Sequence, residues 1–264
     1  MVRLICIDVD GTLVGTGGRV PPQVWDAAER VRARGIRLAV CSGRPAMGLA
    51  REYAHRLDPA GWHVFQNGAS IVHLPSGRSR STPLPAETVR MLVDRARATG
   101  RVLELYDDVE YRVESTDDRA VRHAGLLGVA FTPRDLLTLP GAAVRAQWLV
   151  QIGDEARVMN EPHGGLLLSP SLSPVMPDTT FVNATPAGVD KASAVRALAA
   201  ELGVPMEEVM MVGDGINDLG VLRAVGHAVA MANAEPEVLE MAPRHVGHVD
   251  DGGLAEALDL ALTL

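Results

Sequence analysis

Two carboxylates leave a predicted buried strand together near the start of the chain. Asp8 and Asp10 follow the apolar run at residues 4–7, and Gly11 permits the sharp turn that would expose them. Carboxylates at this spacing can bind a hard cation while one of them acts as a nucleophile. An EF-hand calcium loop is excluded because no acidic residue stands at its twelfth position. The alternative is a strand end that carries turn-forming aspartates.

Two further segments offer groups that bind phosphate. Ser42 and Gly43 follow a second predicted strand at residues 36–40, and a hydroxyl and a backbone N–H can both donate to a phosphoryl oxygen at a helix N-terminus. Taken alone, Ser42 also fits a simple helix N-cap. Lys191 is the only lysine among 25 basic residues. This usage indicates a position that needs a compact ammonium rather than a planar guanidinium, although chance retention is the alternative.

A fourth segment places two carboxylates and an amide in a loop between a strand and a helix. Asp214 can complete a metal site, Asn217 can orient a ligand, and Asp218 can hold a metal-bound water or the lysine. An ordinary N-cap loop needs only one aspartate. The loop therefore predicts a second part of the same charged site.

The pattern of apolar residues predicts the elements that position these segments. Strands at residues 4–9 and 36–40 alternate with helices, one of which starts at Pro45, and the same alternation returns in residues 191–231. All four segments then follow the carboxyl ends of strands in one parallel sheet, where such sheets bind ligands. Between the two halves, a mixture of strand and helix patterns predicts a second module at residues 83–184, with an irregular loop at 162–177.

Composition excludes several classes of protein. The chain has 264 residues with 47% hydrophobic residues, which excludes disorder as its main state, and a net charge of -8 without a basic cluster argues against a nucleic-acid partner. No apolar run approaches the roughly 18 residues of a membrane span or forms a signal peptide. Cys6 and Cys41 lie in apolar strand patterns, which indicates reduced thiols. We therefore expect a cytoplasmic protein without a membrane partner.

In this order, the four segments resemble the motifs of the haloacid dehalogenase superfamily of Mg²⁺-dependent phosphohydrolases. Residues 8–13, Ser42, Lys191 and residues 213–218 match its four motifs, and residues 66–69 together with 230–234 are similar to the Cof-type branch, subclass IIB. The resemblance implies an α/β fold: a Rossmann-like core with a parallel sheet, formed by residues 1–82 and 185–264, and an inserted α+β cap domain at residues 83–184.

The resemblance also implies a role for each motif residue. Asp8 attacks phosphorus and Asp10 acts as general acid and then general base, with Lys191 as the third catalytic residue. Mg²⁺ is held by Asp8, the carbonyl of Asp10 and Asp214. Asp218 supports this site without binding the ion directly. The implied phosphate-binding residues are Ser42, Gly43, Lys191 and Asn217. As a further hypothesis, Arg44 and Asn183 contact the substrate beyond the phosphate, since one follows Ser42 and the other lies near a predicted hinge.

The expected activity is Mg²⁺-dependent hydrolysis of a small phosphorylated metabolite, such as a sugar phosphate, through an aspartyl-phosphate. Asp10 favours a phosphatase because dehalogenases of the superfamily lack an acid at this position and P-type ATPases carry threonine there. A sugar phosphomutase of related architecture is the nearest alternative, because the same four segments would serve it. A non-catalytic protein that binds a phosphorylated ligand is the second alternative.

Overall fold

The computed structural model describes residues 1–173 and 175–264, which form two five-stranded sheets and one hairpin. The strands are β1 (Leu4–Ile7), β2 (Arg37–Val40), β3 (Trp62–Phe65), β4 (Ser70–His73), β5 (Val102–Tyr106), β6 (Tyr111–Val113), β7 (Arg145–Gln151), β8 (Leu167–Leu172), β9 (Thr179–Thr185), β10 (Val209–Gly213), β11 (His227–Met231) and β12 (Arg244–Val246). The helices are α1 (Pro22–Ala33), α2 (Gly48–Leu57), α3 (Ala86–Thr99), α4 (Asp118–Leu127), α5 (Glu155–Met159), α6 (Lys191–Glu201), α7 (Leu219–Leu222), α8 (Pro236–Met241) and α9 (Gly253–Ala261).

The first sheet is parallel throughout, in the order β12-β11-β10-β1-β2. Its central strand β1 is buried on both faces: Ile5 and Ile7 belong to one hydrophobic cluster, and Leu4 and Cys6 belong to another. Helices α1, α2 and α9 supply residues to the first cluster, and α6 supplies residues to the second. This double burial explains why the strand is a continuous apolar run rather than an alternating one. The predicted α/β fold with a parallel central sheet is confirmed.

The second sheet is antiparallel, in the order β6-β5-β7-β9-β8. One face packs against α3, with Leu92, Leu103 and Trp148 in its cluster. The opposite face is only partly covered by α4 and carries polar residues where α4 does not reach, among them Arg145 and Asn183. The second sheet therefore brings a polar surface toward the first sheet. Among the described residues, the structure contains no helix that is both long and apolar enough for a transmembrane segment.

Two local predictions are wrong. The helix expected to start at Pro45 begins at Gly48, because residues 42–47 form a loop held by hydrogen bonds to the 66–67 turn. The stretch at 162–177, expected to be irregular, contains β8, whose backbone pairs with β9 despite its Gly, Ser and Pro content. Position 174 of that stretch lies outside the described residues. In both places, hydrogen bonds to distant residues override the local composition.

Candidate active site

Adjacent parallel strands bring three of the four predicted motifs to one edge of the first sheet. The expectation that all four follow strands of this sheet is wrong for Lys191, which comes after β9 of the second sheet. The register pairs Ile7 of β1 with Val212 of β10 and Val40 of β2, so the three strands end at the same level. Asp8 follows β1 directly, and Asp214 follows β10. Carboxylate oxygens of Asp8, Asp214 and Asp218 lie within 4.8 Å of one another. The sheet thus assembles three acidic residues that are distant in sequence.

Lys191 links two of these carboxylates. It is the first residue of α6, and its Nζ donates to Asp8 Oδ1 at 2.6 Å and to Asp218 Oδ1 at 2.7 Å. The side chain is almost completely buried. Burial alone lowers a lysine pKa, but the charges of Asp218 and Asp8 outweigh burial and raise the pKa of Lys191. The ammonium is therefore a fixed positive charge beside Asp8.

Asp218 is saturated by protein donors. Its Oδ1 accepts from Lys191, and its Oδ2 accepts from the backbone N–H groups of Asp214 and Gly215, each at 3.2 Å. The carboxylate is fully buried within the turn that starts α7. Asp218 therefore positions Lys191 and the 213–218 loop, and it has no free oxygen in this arrangement for another ligand.

Only one carboxylate oxygen of Asp214 accepts a hydrogen bond from the described part of the chain. Its Oδ1 accepts from the hydroxyl of Thr12 at 2.8 Å. A Cβ at Gly11, whose φ is +84°, would stand 2.0 Å from Asp214 Oδ2, so only glycine fits there. The Gly11 carbonyl in turn accepts from Asn233 Nδ2 at 2.7 Å. The turn after β1 is thus shaped around the Asp214 carboxylate.

The charges of this cluster fit a divalent cation. When all three carboxylates are ionised, the single ammonium compensates only one of them. Burial, only partly offset by Lys191, raises the pKa of Asp8 well above its usual range, and burial raises the pKa of Asp214 to about 6. An all-oxygen donor set suits hard cations such as Mg²⁺. Asp8 and Asp214 are the residues that could hold the cation, because each carboxylate accepts only one hydrogen bond among the described residues. Asp8 Oδ1 keeps a lone pair beside its bond to Lys191, and its second oxygen stays free within the described part of the chain.

Asp10 lies apart from the three clustered carboxylates. Its side chain is 62% exposed, and both of its oxygens accept from the guanidinium of Arg44, with Arg44 Nε 2.9 Å from Asp10 Oδ2. The ion pair raises the pKa of Arg44 against the lowering effect of its burial. Asp8 and Asp10 thus leave the same strand into different environments, one buried against an ammonium and one facing solvent.

The Ser42 loop is tied to the other motifs through Asn67. The backbone N–H of Asn67 donates to the Ser42 carbonyl at 2.9 Å, and Asn217 Nδ2 donates to Asn67 Oδ1 at 3.3 Å. Ser42 Oγ accepts from the Arg44 N–H at 3.1 Å, two residues on, so Ser42 is not a helix N-cap. Since the buried hydroxyl has no acceptor among the described residues, it can donate to a ligand. Gly43 lies against the Asn67 side chain at the same place.

Asn183 is connected to this loop indirectly. It lies on β9 in the second sheet, and its Oδ1 accepts from Arg145 Nη1 at 3.2 Å. The same Nη1 donates to the Gly43 carbonyl at 2.9 Å. The structure therefore places Asn183 behind Arg145 and places Arg44 beside Asp10, and these two predicted substrate residues do not contact each other.

Sequence reasoning assigned no role to four residues that shape the site: Thr12, Asn67, Arg145 and Asn233. Thr12 and Asn67 stand in motifs that were identified, but their partners are distant in sequence. Of the four, Arg145 has the clearest signal in the sequence, because a charged residue begins a strand that is otherwise largely apolar. The structure shows that this arginine is buried. Asn233 stands in the 230–234 segment of the resemblance, but its partner, the Gly11 carbonyl, is also distant in sequence.

Comparisons of this chain with known proteins indicate the same family as the four motifs. A model of haloacid dehalogenase-like hydrolases matches residues 5–125 and 171–258. A haloacid dehalogenase-like hydrolase from Bacteroides thetaiotaomicron superposes with a TM-score of 0.88 at 28% identity, covering 98% of this chain and 99% of that one. An HMP-PP phosphatase of Serratia proteamaculans is 26% identical over 98% of this chain and 94% of its own. A subclass IIB sugar phosphatase shares the fold, with a TM-score of 0.81 at 20% identity and complete coverage of both chains.

The family match covers well over half of the chain, including β2, β10, β11, β12 and all of β1 except its first residue. It agrees with the resemblance drawn from the four motifs, and that prediction is confirmed. The chain therefore belongs to the haloacid dehalogenase-like hydrolases and is an enzyme of their phosphatase type.

Proposed function

We propose that the protein hydrolyses a small phosphomonoester with the help of Mg²⁺ and forms an aspartyl-phosphate on Asp8. The observation that carries the proposal is the geometry around Asp8. Lys191 fixes one carboxylate oxygen at 2.6 Å, and the other oxygen has no protein donor among the described residues. A buried carboxylate that is oriented by a fixed cation and keeps one free oxygen is arranged for nucleophilic attack.

A divalent cation held by Asp8 and Asp214 would neutralise the negative charge of both the carboxylates and the phosphoryl group. Mg²⁺ suits oxygen ligands and binds through one or two carboxylates together with substrate phosphate, which agrees with the two available side chains. The carbonyl of Asp10 is a further proposed ligand. Asp218 supports the arrangement through Lys191 and the 213–218 loop.

In the first step, the free oxygen of Asp8 forms a bond to phosphorus while the bond to the leaving oxygen breaks. Asp10 gives its proton to that leaving oxygen. In the second step, Asp10 takes a proton from water as the water attacks phosphorus, and phosphate leaves with the carboxylate of Asp8 restored. Lys191 and a bound cation favour the ionised form of Asp8 that attack requires. The ion pair with Arg44 favours ionised Asp10, so Asp10 must leave that pair and take up a proton before it acts as the acid.

The remaining motif residues stabilise charge on the transferred group. Lys191, the Ser42 hydroxyl and the backbone N–H of Gly43 supply positive charge or donors near Asp8, and Asn217 is held beside the Ser42 loop by Asn67. Such preoriented donors supply most of the barrier reduction in phosphoryl transfer.

We propose that residues 83–184 form a cap over this site. Two hydrogen bonds support the assignment, since Arg145 donates to the Gly43 carbonyl and Gln66 Nε2 donates to the Asp107 carbonyl at 2.9 Å. Both bonds join the second sheet to loops beside Asp8. A cap in this position excludes bulk water and selects the leaving group.

The experiment is a screen of phosphorylated metabolites that follows phosphate release, with Mg²⁺ present or chelated. We expect release that requires Mg²⁺ and disappears in Asp8→Asn, which keeps the size of the side chain. An Asp259→Asn variant, changed at an exposed aspartate of α9, is the matched control and should keep full activity. Substantial turnover by Asp8→Asn contradicts the nucleophile assignment, and phosphate that is moved within a sugar rather than released identifies a phosphomutase.

A further inference from the structure

Arg145 is a buried cation without an ion-pair partner. Its side chain lies on β7 with 3% exposure, and it forms no ion pair with any carboxylate of the described chain. Arg112 and Arg122, two other arginines of the second sheet and its helix α4, are paired with Glu110 and Asp178. Arg145 instead donates to two neutral oxygens, those of Gly43 and Asn183. Neutral acceptors compensate a buried charge only in part.

The acid on the neighbouring strand forms no ion pair with Arg145 in the described part of the chain. Glu104 lies on the neighbouring strand β5, but its carboxylate accepts from Gln147 and His123, at 3.2 and 2.9 Å, and from the hydroxyl of Tyr106. The Tyr106 ring stacks under the guanidinium of Arg145, 4.1 Å from its carbon, and fixes its plane. Burial lowers the pKa of Arg145, which agrees with an incompletely compensated charge.

Two polar atoms beside the Ser42 loop are buried without a hydrogen-bond partner: Arg145 Nε and Gln66 Oε1. Their residues bond to consecutive positions of that loop, since Arg145 donates to the Gly43 carbonyl and the Gln66 N–H donates to the Arg44 carbonyl. Gln66 is completely buried and has a positive φ of 55°, a strained conformation for this residue. Other arginines, among them Arg112, also have a buried Nε without a partner in the described part of the chain. Arg145 differs from Arg112 because it has no carboxylate partner among the described residues and because a buried acceptor without a partner, on Gln66, belongs to the same loop contacts. We therefore take this place as one where a ligand completes the hydrogen bonding.

We propose that Arg145, oriented by Asn183 and Tyr106 and accompanied by Gln66, determines specificity for the leaving group by selecting phosphomonoesters that carry a second oxyanion. This inference rests on the proposed function. The oxyanion is a carboxylate or a second phosphate, which share the planar or multi-oxygen geometry that a guanidinium fork binds. The uncompensated charge of Arg145 favours an anion over the neutral hydroxyls of a simple sugar phosphate.

The test compares substrates that differ in the second anion. The carboxylate arm compares 3-phosphoglycerate with glycerol 3-phosphate, and the phosphate arm compares fructose 1,6-bisphosphate with fructose 6-phosphate. An aryl phosphate without a second oxyanion, p-nitrophenyl phosphate, measures the rate of hydrolysis apart from recognition of that oxyanion. We expect wild-type kcat/KM to favour the doubly anionic member of at least one pair, and the arm that shows the preference identifies the oxyanion.

The variants distinguish a role of Arg145 in substrate selection from a role in the stability of the fold. Arg145→Met should lower kcat/KM for the preferred substrate by about tenfold more than it lowers kcat/KM for the aryl phosphate. This difference should lie mainly in KM. Arg145→Lys keeps the charge without the fork and should recover part of the preference. Arg112→Met removes another buried arginine of the same sheet, one bonded to Glu110, and should not change the preference. The Tm of each variant shows whether it is folded.

A binding measurement tests the same residue without turnover. In the Asp8→Asn background, the affinity for 3-phosphoglycerate or fructose 1,6-bisphosphate, measured by calorimetry, should fall on addition of Arg145→Met, while the affinity for the matched substrate without the second anion should not. Equal losses on every substrate make Arg145 a structural link and overturn the inference, as does a wild type without preference in either arm. Absence of hydrolysis of all substrates contradicts the proposed function instead, and the binding comparison then decides on Arg145 alone.

Discussion

The guanidinium of Arg44 holds the carboxylate of Asp10 on the solvent side of the site, while Asp8, two residues earlier, is buried against Lys191. Residues at i and i+2 of a strand share a face, but β1 ends at Ile7, so strand alternation no longer sets the directions of Asp8 and Asp10. The contacts with Lys191 and Arg44 set them instead. One carboxylate is therefore fixed and enclosed, and the other is exposed and held by a single side chain. The two positions suit a nucleophile and a group that exchanges protons with water.

Asp10→Asn should remove activity without weakening the fold. Loss of a general acid and base costs about 10² to 10⁴ in rate, and the loss should be larger for an alkyl phosphate than for an aryl phosphate, whose leaving group needs less protonation. Because Asp10 is mostly exposed, its ion pair with Arg44 adds less than about 1 kcal/mol to stability. The measurements are kcat on both substrates and the free energy of unfolding in denaturant.

An Asp10→Asn protein that keeps wild-type turnover on the alkyl phosphate would contradict the proton-transfer role. The control is Asp250→Asn, another exposed aspartate, which accepts hydrogen bonds from Thr16 and lies outside the carboxylate cluster. We expect this variant to retain its activity on both substrates.

Lys191→Arg should lower kcat by at least about tenfold, in line with the loss of one preoriented charge. The ammonium fits between Asp8 and Asp218 with almost no exposure, and a planar guanidinium is too large to keep both contacts. Lys191→Met should also destabilise the fold by about 3 to 5 kcal/mol, because it leaves two buried carboxylates unpaired. Steady-state kinetics and denaturant unfolding measure both effects, and unchanged rates in Lys191→Arg would show that the lysine was retained by chance.

Mg²⁺ should raise the Tm, and more strongly at pH 7.5 than at pH 5. At a concentration 100 times its Kd, a ligand adds about 2.7 kcal/mol, which corresponds to roughly 5 to 10 °C for a chain of this size. Burial raises the pKa of Asp214 to about 6, so protons compete with the cation below that pH. Thermal unfolding with Mg²⁺ or chelator measures the shift. It should vanish in Asp214→Asn, and an equal shift at both pH values would argue against this carboxylate as a ligand.

The sequence was sufficient to predict the existence of β1, β2 and β10 and the end of β2 at Val40, because a buried strand followed by polar turn residues leaves a local signal. The predicted end of the first strand, at residue 9, lies two residues beyond the end of β1. Since these strands are parallel neighbours, the meeting of Asp8 with Asp214 also follows from the predicted topology. The sole lysine indicated a position that needs an ammonium, and the structure places Lys191 between two carboxylates.

The parts that could not be predicted depend on side-chain direction and on contacts between the two sheets. Spacing alone did not show that Asp10 turns to Arg44 or that Asp218 is saturated by backbone donors. Arg145 reaches Gly43 across 102 positions of sequence, and its role depends on the packing of the second sheet against the first. Likewise, β8 forms because β9 offers a paired edge, and its own residues favour a loop.

His63 should make the fold sensitive to acid. It is completely buried on β3, where its Nδ1 accepts from the Val40 N–H at 3.0 Å and its Nε2 bonds to the Asp58 carbonyl at 2.9 Å. Burial lowers its pKa from 6.5 to about 4, against the opposing effect of Asp58. The unfolded chain therefore takes up the proton first as the pH falls. The stability from neutral His63, roughly 3 kcal/mol, is fully present above about pH 6.5 and is lost progressively down to about pH 4.

The free energy of unfolding, measured in denaturant at several pH values between 6.5 and 4, should therefore fall less steeply in His63→Gln than in wild type. Glutamine is neutral throughout this range, so the variant loses the protonation step even if it is less stable at neutral pH. His55→Gln, changed at an exposed histidine of α2, should keep the wild-type slope. Identical slopes for His63→Gln and wild type would show that a different group causes the acid sensitivity.

Protonation of His63 should also weaken phosphate binding. A protonated Nδ1 can no longer accept from the Val40 N–H, and Val40 lies at the end of β2, just before the Ser42 loop.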